Sequence, residues 1–279
     1  MQRREDYLEP IVPEYDNFAV MSRKEDKIPA TLRSFAVLEA LVQAERPASL
    51  TDIVAACKLP KPTVYRMLAM LESAGLVARD PGAARYTPGP RLAALGLGIM
   101  QNASLSSARH AILAHLVEQI GETCNFTMLQ GGEVMYLDRV EAAWPLRMNL
   151  TSGSRVPLHC TASGKLLLAY LPKASRDRML GTLSYKSYTP STLADRKSLD
   201  AELTRIRKAR YATDNEEFHA GLVCVAVPTR SPGGRPCAAI AVHAPMSRMP
   251  LERALSYLPL LRNAAQAMEA TFSNTNRNA

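Results

Sequence analysis

The sequence predicts an α+β protein of two domains: a small helical domain first, then a larger domain of antiparallel strands with interspersed helices. Two observations support this prediction. Apolar residues recur at helical spacing from Thr31 to about Ser73, and from Cys124 onward the pattern changes to strands interrupted by helical stretches. A length of 279 residues is compatible with two modest domains.

Composition limits the classes of binding partner and the cellular compartment that we expect for this chain. The chain carries 34 Lys and Arg against 26 Asp and Glu, a formal charge of +8, which favours nucleic acid, acidic metabolites or a membrane surface. Its 47% hydrophobic and 22% charged residues are typical of a globular protein. The sequence contains no apolar stretch of about 18 residues, the length that a membrane-spanning helix needs. The five cysteines are odd in number and lack a CxxC pair, and no secretory signal is present. We therefore expect a reduced, cytoplasmic setting.

Residues 1–27 are proline-bearing and aperiodic, which predicts a flexible tail with Met21 as an alternative start. Helical periodicity begins at Thr31, and Arg46-Pro47 ends this first helix. Its apolar face consists of Leu32, Phe35, Leu38, Leu41 and Val42.

Two short helices follow and form a helix-turn-helix. Ser49 caps the second helix, with Asp52 at the third position, and this helix ends near Cys57. The prolines of KLPKPT exclude a continuous helix, but Pro62 fits the first turn of a third helix that ends near Ser73. The inward positions of the two helices are Ile53, Val54, Val64, Leu68 and Leu71.

Basic side chains concentrate where such a motif meets DNA. The start of the third helix carries groups that reach base edges and phosphates in the major groove. A hairpin turning at Asp80-Pro81-Gly82 then forms a wing whose arginines can contact a phosphate backbone or the minor groove. Residues 58–91 hold six basic and two acidic side chains. The sequence predicts a winged helix-turn-helix over 28–90, with DNA contacts from Ser49, Lys61, Thr63, Tyr65, Arg66, Arg79 and Arg85.

Two alternatives stay open for this domain. Helix-turn-helix shapes also serve as protein-docking domains, and Arg66 can pair with Glu72 or solvate a helix face.

A helical connector over residues 91–106 leads to the second domain at 107–273. Leu92, Leu95 and Ile99 lie at helical spacing, whereas Gly96 and Gly98 weaken this helix. In the second domain we expect helices at about 107–121, in TASGKLLLAYL, at about 198–210 and from about Pro250. Hairpins are expected from CNFTMLQ with EVMYLDRV and from VCVAVPT with PCAAIAVHA.

Candidate catalytic and metal-binding patterns are weak. Gly164-Lys165 is not a phosphate loop, because Leu166 replaces the required Ser or Thr, and TASGK is not the G-x-S-x-G of a nucleophile. Three near-adjacent acids indicate an acid pair or, more commonly, a solvated loop or helix start; they are Asp214, Glu216 and Glu217. Tight metal-ligand spacing is lacking among His159, His243, Cys124, Cys160 and Cys224. We expect no catalytic site, no metal and no cofactor.

The order of motifs resembles one family of regulators. SLTDIVAACKLPKPTVYRMLAMLESAGLVARDPGAARYTPGPRL is similar to the winged helix-turn-helix of IclR-type transcriptional regulators. GETCNFTML, GGEVMYLDRVE, PLRM, VPLHCTASGKLLLAYL, DNEEFHAGLVCVAVP and AAIAVHAP follow that family's effector domain in order. The resemblance covers residues 28–272. It implies a GAF-like sheet with a small-molecule cavity, a dimerising connector, and a homodimer or dimer of dimers that binds double-stranded operator DNA.

The resemblance also implies an effector site. The matching positions are Leu146, Met148, Val156, Ala162, Ser163, Asp214, Cys224, Ala241 and His243. Free N–H groups where a helix begins near Thr161 suit a carboxylate, so the expected effector is a small organic acid. Ala241 and His243 depart from the small hydroxyl residues often found in the family, which favours a larger or aromatic carboxylate.

The sequence thus predicts a DNA-binding regulator whose operator binding is modulated by an effector. One alternative is a constitutive DNA-binding protein whose second domain only dimerises. Another is a metabolite-binding protein or enzyme that carries a winged helix.

Overall fold

The computed structural model describes residues 29–44, 46–80, 82–100, 103–144 and 150–273. The chain divides into two compact units, one of Met1–Ala44 and Ala48–Pro88 and the other of Glu45–Pro47 and Gly89–Ala279. The predicted tail over 1–27, Leu146 and Met148 lie outside the described residues.

The amino-terminal unit is a three-helix domain with a small sheet. Its elements are α1 (Ala30–Gln43), β1 (Ala48–Ser49), α2 (Leu50–Cys57), α3 (Lys61–Ser73), β2 (Val77–Asp80) and β3 (Arg85–Pro88). The strands are antiparallel in the order β1-β3-β2, with Asp80 opposite Arg85 at the wing's tip. Apolar side chains from all three helices and from Val77 and Tyr86 form one core, so the wing packs on the helices.

The apolar face expected for α1 is only partly buried. Val37 and Leu41 are the buried residues of this helix, whereas Phe35 is 60% exposed and Val42 is 61% exposed. Apolar residues of α1 lie on more than one side of the helix, and the side that carries Val37 and Leu41 is the one that packs against α2 and α3.

The carboxy-terminal unit is built on one antiparallel sheet with helices on both faces. Its helices are α4 (Pro90–Met100), α5 (Ala103–Ile120), α6 (Ala162–Tyr170), α7 (Lys173–Thr182), α8 (Arg196–Ala209), α9 (Leu251–Ser256) and α10 (Leu258–Ser273). Its strands are β4 (Thr123–Gln130), β5 (Glu133–Val140), β6 (Arg155–Val156), β7 (Ala212–Asn215), β8 (Leu222–Arg230) and β9 (Pro236–Pro245). The strand order is β6-β5-β4-β9-β8-β7.

Alternation along the strands divides the core into two layers. Cys124 and Phe126 of β4, with the valines of β8, pack against α5 and α10 on one face. On the other face the side chains are smaller, and Ala226, Ala239 and Ala241 lie beneath α6 and α8. The small side chains leave room for α6 to approach the sheet, and this face holds the site described below.

Several elements differ from the sequence expectation. The final helix is broken into α9 and α10 at Tyr257, α7 was not foreseen, and α5 begins at Ala103 rather than near Ser107. The acid-rich DNEE segment contributes to an edge strand, β7, rather than to a solvated loop. No helix within the described ranges combines the length and apolarity needed to cross a membrane.

Candidate functional site

A capping box fixes the start of α2. The Ser49 hydroxyl accepts the Asp52 N–H at 3.2 Å, and the Asp52 carboxylate accepts the Ser49 N–H at 2.9 Å. At the other end, Lys58 adopts a left-handed backbone with φ of 52°, and its N–H donates to the Val54 carbonyl at 3.0 Å. The turn into α3 is therefore set by local sequence, and Ser49 is engaged as a cap.

The start of α3 presents polar groups on its exposed side. The buried face is Val64, Met67, Leu68 and Leu71. Lys61, Tyr65 and Arg66 are exposed, and the Tyr65 side chain is 56% accessible. Thr63 is half-buried. Within the described chain the Arg66 guanidinium forms no ion pair, so the pairing with Glu72 that was considered is not made. The start of a recognition helix is the part that reaches the major groove in helix-turn-helix proteins, so these groups stay candidates for DNA contact.

The two wing arginines differ in their surroundings. Arg79 lies exposed on β2, with its guanidinium 5.8 Å from the Tyr86 ring centroid. Arg85 lies half-buried on the central strand β3, and its Nη1 is 4.0 Å from the Asp52 Oδ2. Arg85 therefore forms an ion pair that links the wing to the start of α2, whereas the exposed Arg79 can reach a phosphate group in solution.

A cavity opens on the alanine-lined face of the sheet in the carboxy-terminal unit. Seven of the nine positions expected for the effector line it: Val156, Ala162, Ser163, Asp214, Cys224, Ala241 and His243. The other described lining residues are Asn125, Tyr136, Leu150, Thr161, Phe218 and Leu222. The cavity volume is about 20 Å³, which is room for one or two water molecules.

The amino-terminal end of α6 points unpaired donors at this cavity. The Thr161 hydroxyl accepts the Gly164 N–H at 3.2 Å, and the Lys165 N–H donates to the Thr161 carbonyl at 3.0 Å. The N–H groups of Ala162 and Ser163 have no acceptor among the described residues. Both residues are buried beside the cavity, and the helix dipole adds positive character at this end.

Two polar side chains of the cavity lining, Asn125 and His243, form a buried network with Arg139. The Asn125 Oδ1 accepts a hydrogen bond from the Arg139 Nη1 at 3.1 Å, and the Asn125 Nδ2 is 2.8 Å from the His243 Nδ1. The His243 Nε2 lies 3.3 Å from the Arg139 Nη1, so both ring nitrogens contact polar groups of the protein. Burial, and then the positive charge of Arg139, lower the pKa of His243 to about 3, so its ring is neutral.

Asp214 adds a carboxyl group that is easily protonated. Burial raises the pKa of Asp214 to about 7, opposed by the Glu217 and Phe218 N–H groups that its Oδ1 accepts at 2.7 and 3.3 Å. The charge of Glu217 raises this pKa further. Asp214 is 2% exposed and Glu217 is 7% exposed, so these acids do not form a solvated loop.

The Gly164-Lys165 pair has a packing role. A Cβ on Gly164 would lie 2.4 Å from the Leu158 carbonyl oxygen, so only glycine allows α6 to start this close to the preceding backbone. Lys165 is 1% exposed, and its ammonium forms an ion pair with Glu217 and lies 3.7 Å from Glu202. The lysine thus ties α6 to the acid-rich loop and to α8. Within the described part of the chain, no group of His, Cys, Asp and Glu side chains suits a metal ion.

Comparison with known families decides the identity. The family described as Bacterial transcriptional regulator IclR C-terminal matches residues 98–270, and the IclR helix-turn-helix domain matches residues 30–81. The chain belongs to the IclR family of transcriptional regulators. The resemblance and the two-domain α+β fold expected from the sequence are thereby confirmed.

Relatives of this IclR-family chain match along almost its whole length. It is 49% identical over 243 residues to the Cupriavidus necator protein named Probable transcriptional regulator SauR, covering 87% of this chain and 96% of that one. It is 30% identical over 252 residues to the HTH-type transcriptional regulator KdgR of Escherichia coli, covering 90% and 95%. The crystal structure of Thermotoga maritima IclR aligns with a TM-score of 0.58 at 28% identity, over 87% of this chain and 98% of that chain.

Sequence reasoning missed part of the cavity of this IclR-family chain. Asn125, Tyr136 and Phe218 line it without having been expected. One signal was available for Asn125: the alternation of CNFTMLQ places Asn125 and Thr127 together on one face, both buried at 1% exposure. A buried polar pair on a strand indicates hydrogen-bonding partners on neighbouring strands.

Proposed function

We propose that this IclR-family regulator binds operator DNA through α3 and the wing, and that a small organic anion in the cavity modulates this binding. The observation that carries the modulation is the convergence of donors on one buried cavity. The Ala162 and Ser163 N–H groups line it together with the Asn125 and His243 side chains, which Arg139 joins in one hydrogen-bonded network.

Carboxylate chemistry fits these donors. Unpaired N–H groups at a helix start attract anions, and α6 supplies two of them. His243 adds a side chain that can hydrogen-bond to a ligand from the same lining, and the Arg139 Nη1 lies 3.3 Å from its Nε2, which places a positive charge beside the cavity. A carboxylate oxygen directed at the start of α6 can accept the free N–H groups there. The apolar lining from Val156 and Ala241 then contributes burial.

Size bears on the choice of anion. A volume of about 20 Å³ means that the cavity must expand to admit any acid, and the larger or aromatic acid suggested by His243 requires more expansion than a small carboxylate. Acetate, succinate and benzoate therefore form a graded set of probes.

The DNA-binding half is tested by an operator selected from random duplexes with the purified protein. We expect Arg66→Ala to weaken operator affinity about tenfold to a hundredfold at fixed salt, since a base contact contributes roughly 1–3 kcal/mol. Arg178→Ala is the matched control, because it removes an exposed arginine from α7 in the other unit. Unchanged operator affinity of Arg66→Ala would show that α3 is not the recognition helix.

The effector half is tested by calorimetry with the three acids, followed by operator titrations with and without the acid that binds. We expect His243→Ala to weaken that acid's binding, and the bound acid to change operator affinity, because only differential binding to two states shifts DNA occupancy. If no acid binds, the carboxylate proposal fails. If an acid binds without changing operator affinity, the second unit serves another purpose, such as dimerisation.

We also infer that the chain acts as a homodimer on a pseudo-palindromic operator. Leu95 and Ile99 of α4 support this inference. They lie one helical turn apart and are 54% and 60% exposed, so together they form an apolar surface that a second copy of the chain can cover. Sedimentation of wild type and of Ile99→Gln distinguishes a dimer built on this helix from a monomer.

A further inference from the structure

The carboxy-terminal unit has a second concave surface, which we call the arginine cleft. It is lined by Arg210, Arg230 and Arg262, with Glu269, Val227 and Pro228 between them, and has a volume of about 240 Å³. None of these residues lines the cavity described above.

Strand pairing explains why the cleft is open. Arg210 is the C-cap of α8, Arg230 ends β8, and Arg262 lies on α10. The ladder between β7 and β8 stops at Ala226, so residues 227–230 of β8 pair only with β9 on their other side. The cleft occupies the uncovered edge of these residues, at the side of α10.

The guanidinium groups at the cleft have no hydrogen-bond or ion-pair partner among the residues that the structure describes. In the described part of the carboxy-terminal unit most arginines are engaged, as in Arg155 with Glu133 and Arg205 with Glu202. From residue 103 to residue 273, four described arginines lack any side-chain hydrogen bond or ion pair: Arg178, Arg210, Arg230 and Arg262. Three of these four meet at one cleft, which a random scatter of surface charge does not explain.

Two of the cleft arginines, Arg210 and Arg230, lie close enough to the Tyr170 phenol to affect its pKa. Burial raises the pKa of the Tyr170 phenol, and the positive charges of Arg230 and then Arg210 oppose this rise. Both arginines therefore stand near the end of α6. Glu269 is the one acid of the described cleft lining, and its Oε1 accepts the Arg230 backbone N–H at 2.8 Å. Three guanidinium groups and one carboxylate leave a formal charge of +2 at the cleft.

We propose that the arginine cleft is a second anion-binding site, separate from the effector cavity, that takes a small dianion bearing phosphate groups or paired carboxylates. The planar guanidinium donates two parallel hydrogen bonds to either group, and three of them surround such a ligand. The charge of a dianion matches the charge at the cleft. The site lies on β8, the strand that also brings Cys224 to the effector cavity, so its ligand contacts the same sheet.

Calorimetry of the full-length protein at constant ionic strength and about pH 8 tests the proposal, with inorganic phosphate and malonate as probes. Both are mainly dianions at this pH, and they separate phosphate from carboxylate ligands. We expect one of them to bind, and Arg230→Ala and Arg262→Ala each to weaken it about tenfold or more. Arg178→Ala is the matched control, because it removes an arginine that is equally free of partners but lies outside the cleft. Its affinity should stay within about twofold of wild type.

Three results would overturn the proposal. The absence of binding by both probes up to about 1 mM removes the site. An equal loss in Arg178→Ala shows general attraction to a basic surface. A lower salt slope of operator binding in Arg262→Ala, without binding of either probe, assigns the cleft to DNA phosphates. Arg262→Gln, which keeps side-chain bulk on α10, replaces Arg262→Ala if that variant is less stable in thermal unfolding.

Discussion

Asp214 gives the sharpest prediction, because its ionisation changes strongly on folding. The substitution is Asp214→Asn. An amide oxygen can still accept the Glu217 and Phe218 N–H groups, so the variant mimics the protonated acid at every pH.

The magnitude follows from proton linkage. Burial raises the pKa of Asp214 from 3.8 to about 7. Between these values the folded protein binds more protons than the unfolded chain, so the free energy of unfolding falls as pH rises and reaches its lowest level above pH 7. At about 1.4 kcal/mol per pKa unit, the whole window corresponds to roughly 4 kcal/mol, and the step from about pH 5.5 to 8 to roughly 2 kcal/mol. In Asp214→Asn the residue cannot ionise, so the free energy of unfolding does not fall in this way as the pH rises.

Thermal unfolding at these two pH values measures the effect. The Tm of Asp214→Asn minus that of wild type should rise by about 4–8 °C between pH 5.5 and 8, given 2–4 °C per kcal/mol for a unit of this size. Glu252→Gln is the control, because Glu252 is an exposed acid of α9 without an ion pair among the described residues, and its removal should not alter the pH dependence. A difference in Tm that is the same at both pH values would mean that Asp214 ionises as an ordinary surface acid, and the linkage argument would be wrong.

Other substitutions test the supporting structure. Gly164→Ala should destabilise the carboxy-terminal unit by about 2 kcal/mol or more in denaturant unfolding, since its Cβ would clash with backbone; an unchanged midpoint would contradict the packing role. Lys165→Met should cost roughly 3–5 kcal/mol because it strands the buried Glu217 carboxylate, and adding Glu217→Gln should restore part of that loss. Ser49→Ala should cost about 1 kcal/mol, whereas Ser49→Asp should retain stability by accepting the Asp52 N–H; equal losses in both would argue against the cap.

Local signals in the sequence predicted the amino-terminal unit well. Ser49 with Asp52 forms the capping box that was expected, and Pro62 lies in the first turn of α3. Each of these features depends on hydrogen bonds or dihedral angles within four residues, which sequence spacing describes directly. The predicted apolar face of α1 was wrong for Leu32, Phe35 and Val42, which are exposed. Contact with the neighbouring helices, rather than the spacing within α1, determines which apolar residues are buried.

The cavity was harder to predict because its polar contacts span the chain. Asn125 and His243 are 118 residues apart, and Arg139 joins them from a third strand. Only the antiparallel register, with Asn125 opposite Ala241 and Thr123 opposite His243, brings them to one wall. The family resemblance supplied His243 but carried no information about Asn125 or Arg139, since neither belonged to the positions transferred from it.

The positive charge of the chain has to be divided before it can indicate a partner. In the carboxy-terminal unit Lys165 and Arg248 are matched by Glu217 and Glu122, so they hold the fold together and present little field to a ligand. In the described part of the chain, cations without a carboxylate partner include Arg66 of α3 and the three arginines of the arginine cleft. A formal charge of +8 therefore does not measure affinity for DNA. A cation indicates a partner only where the fold leaves it without one and places others beside it, as at the arginine cleft but not at Arg178.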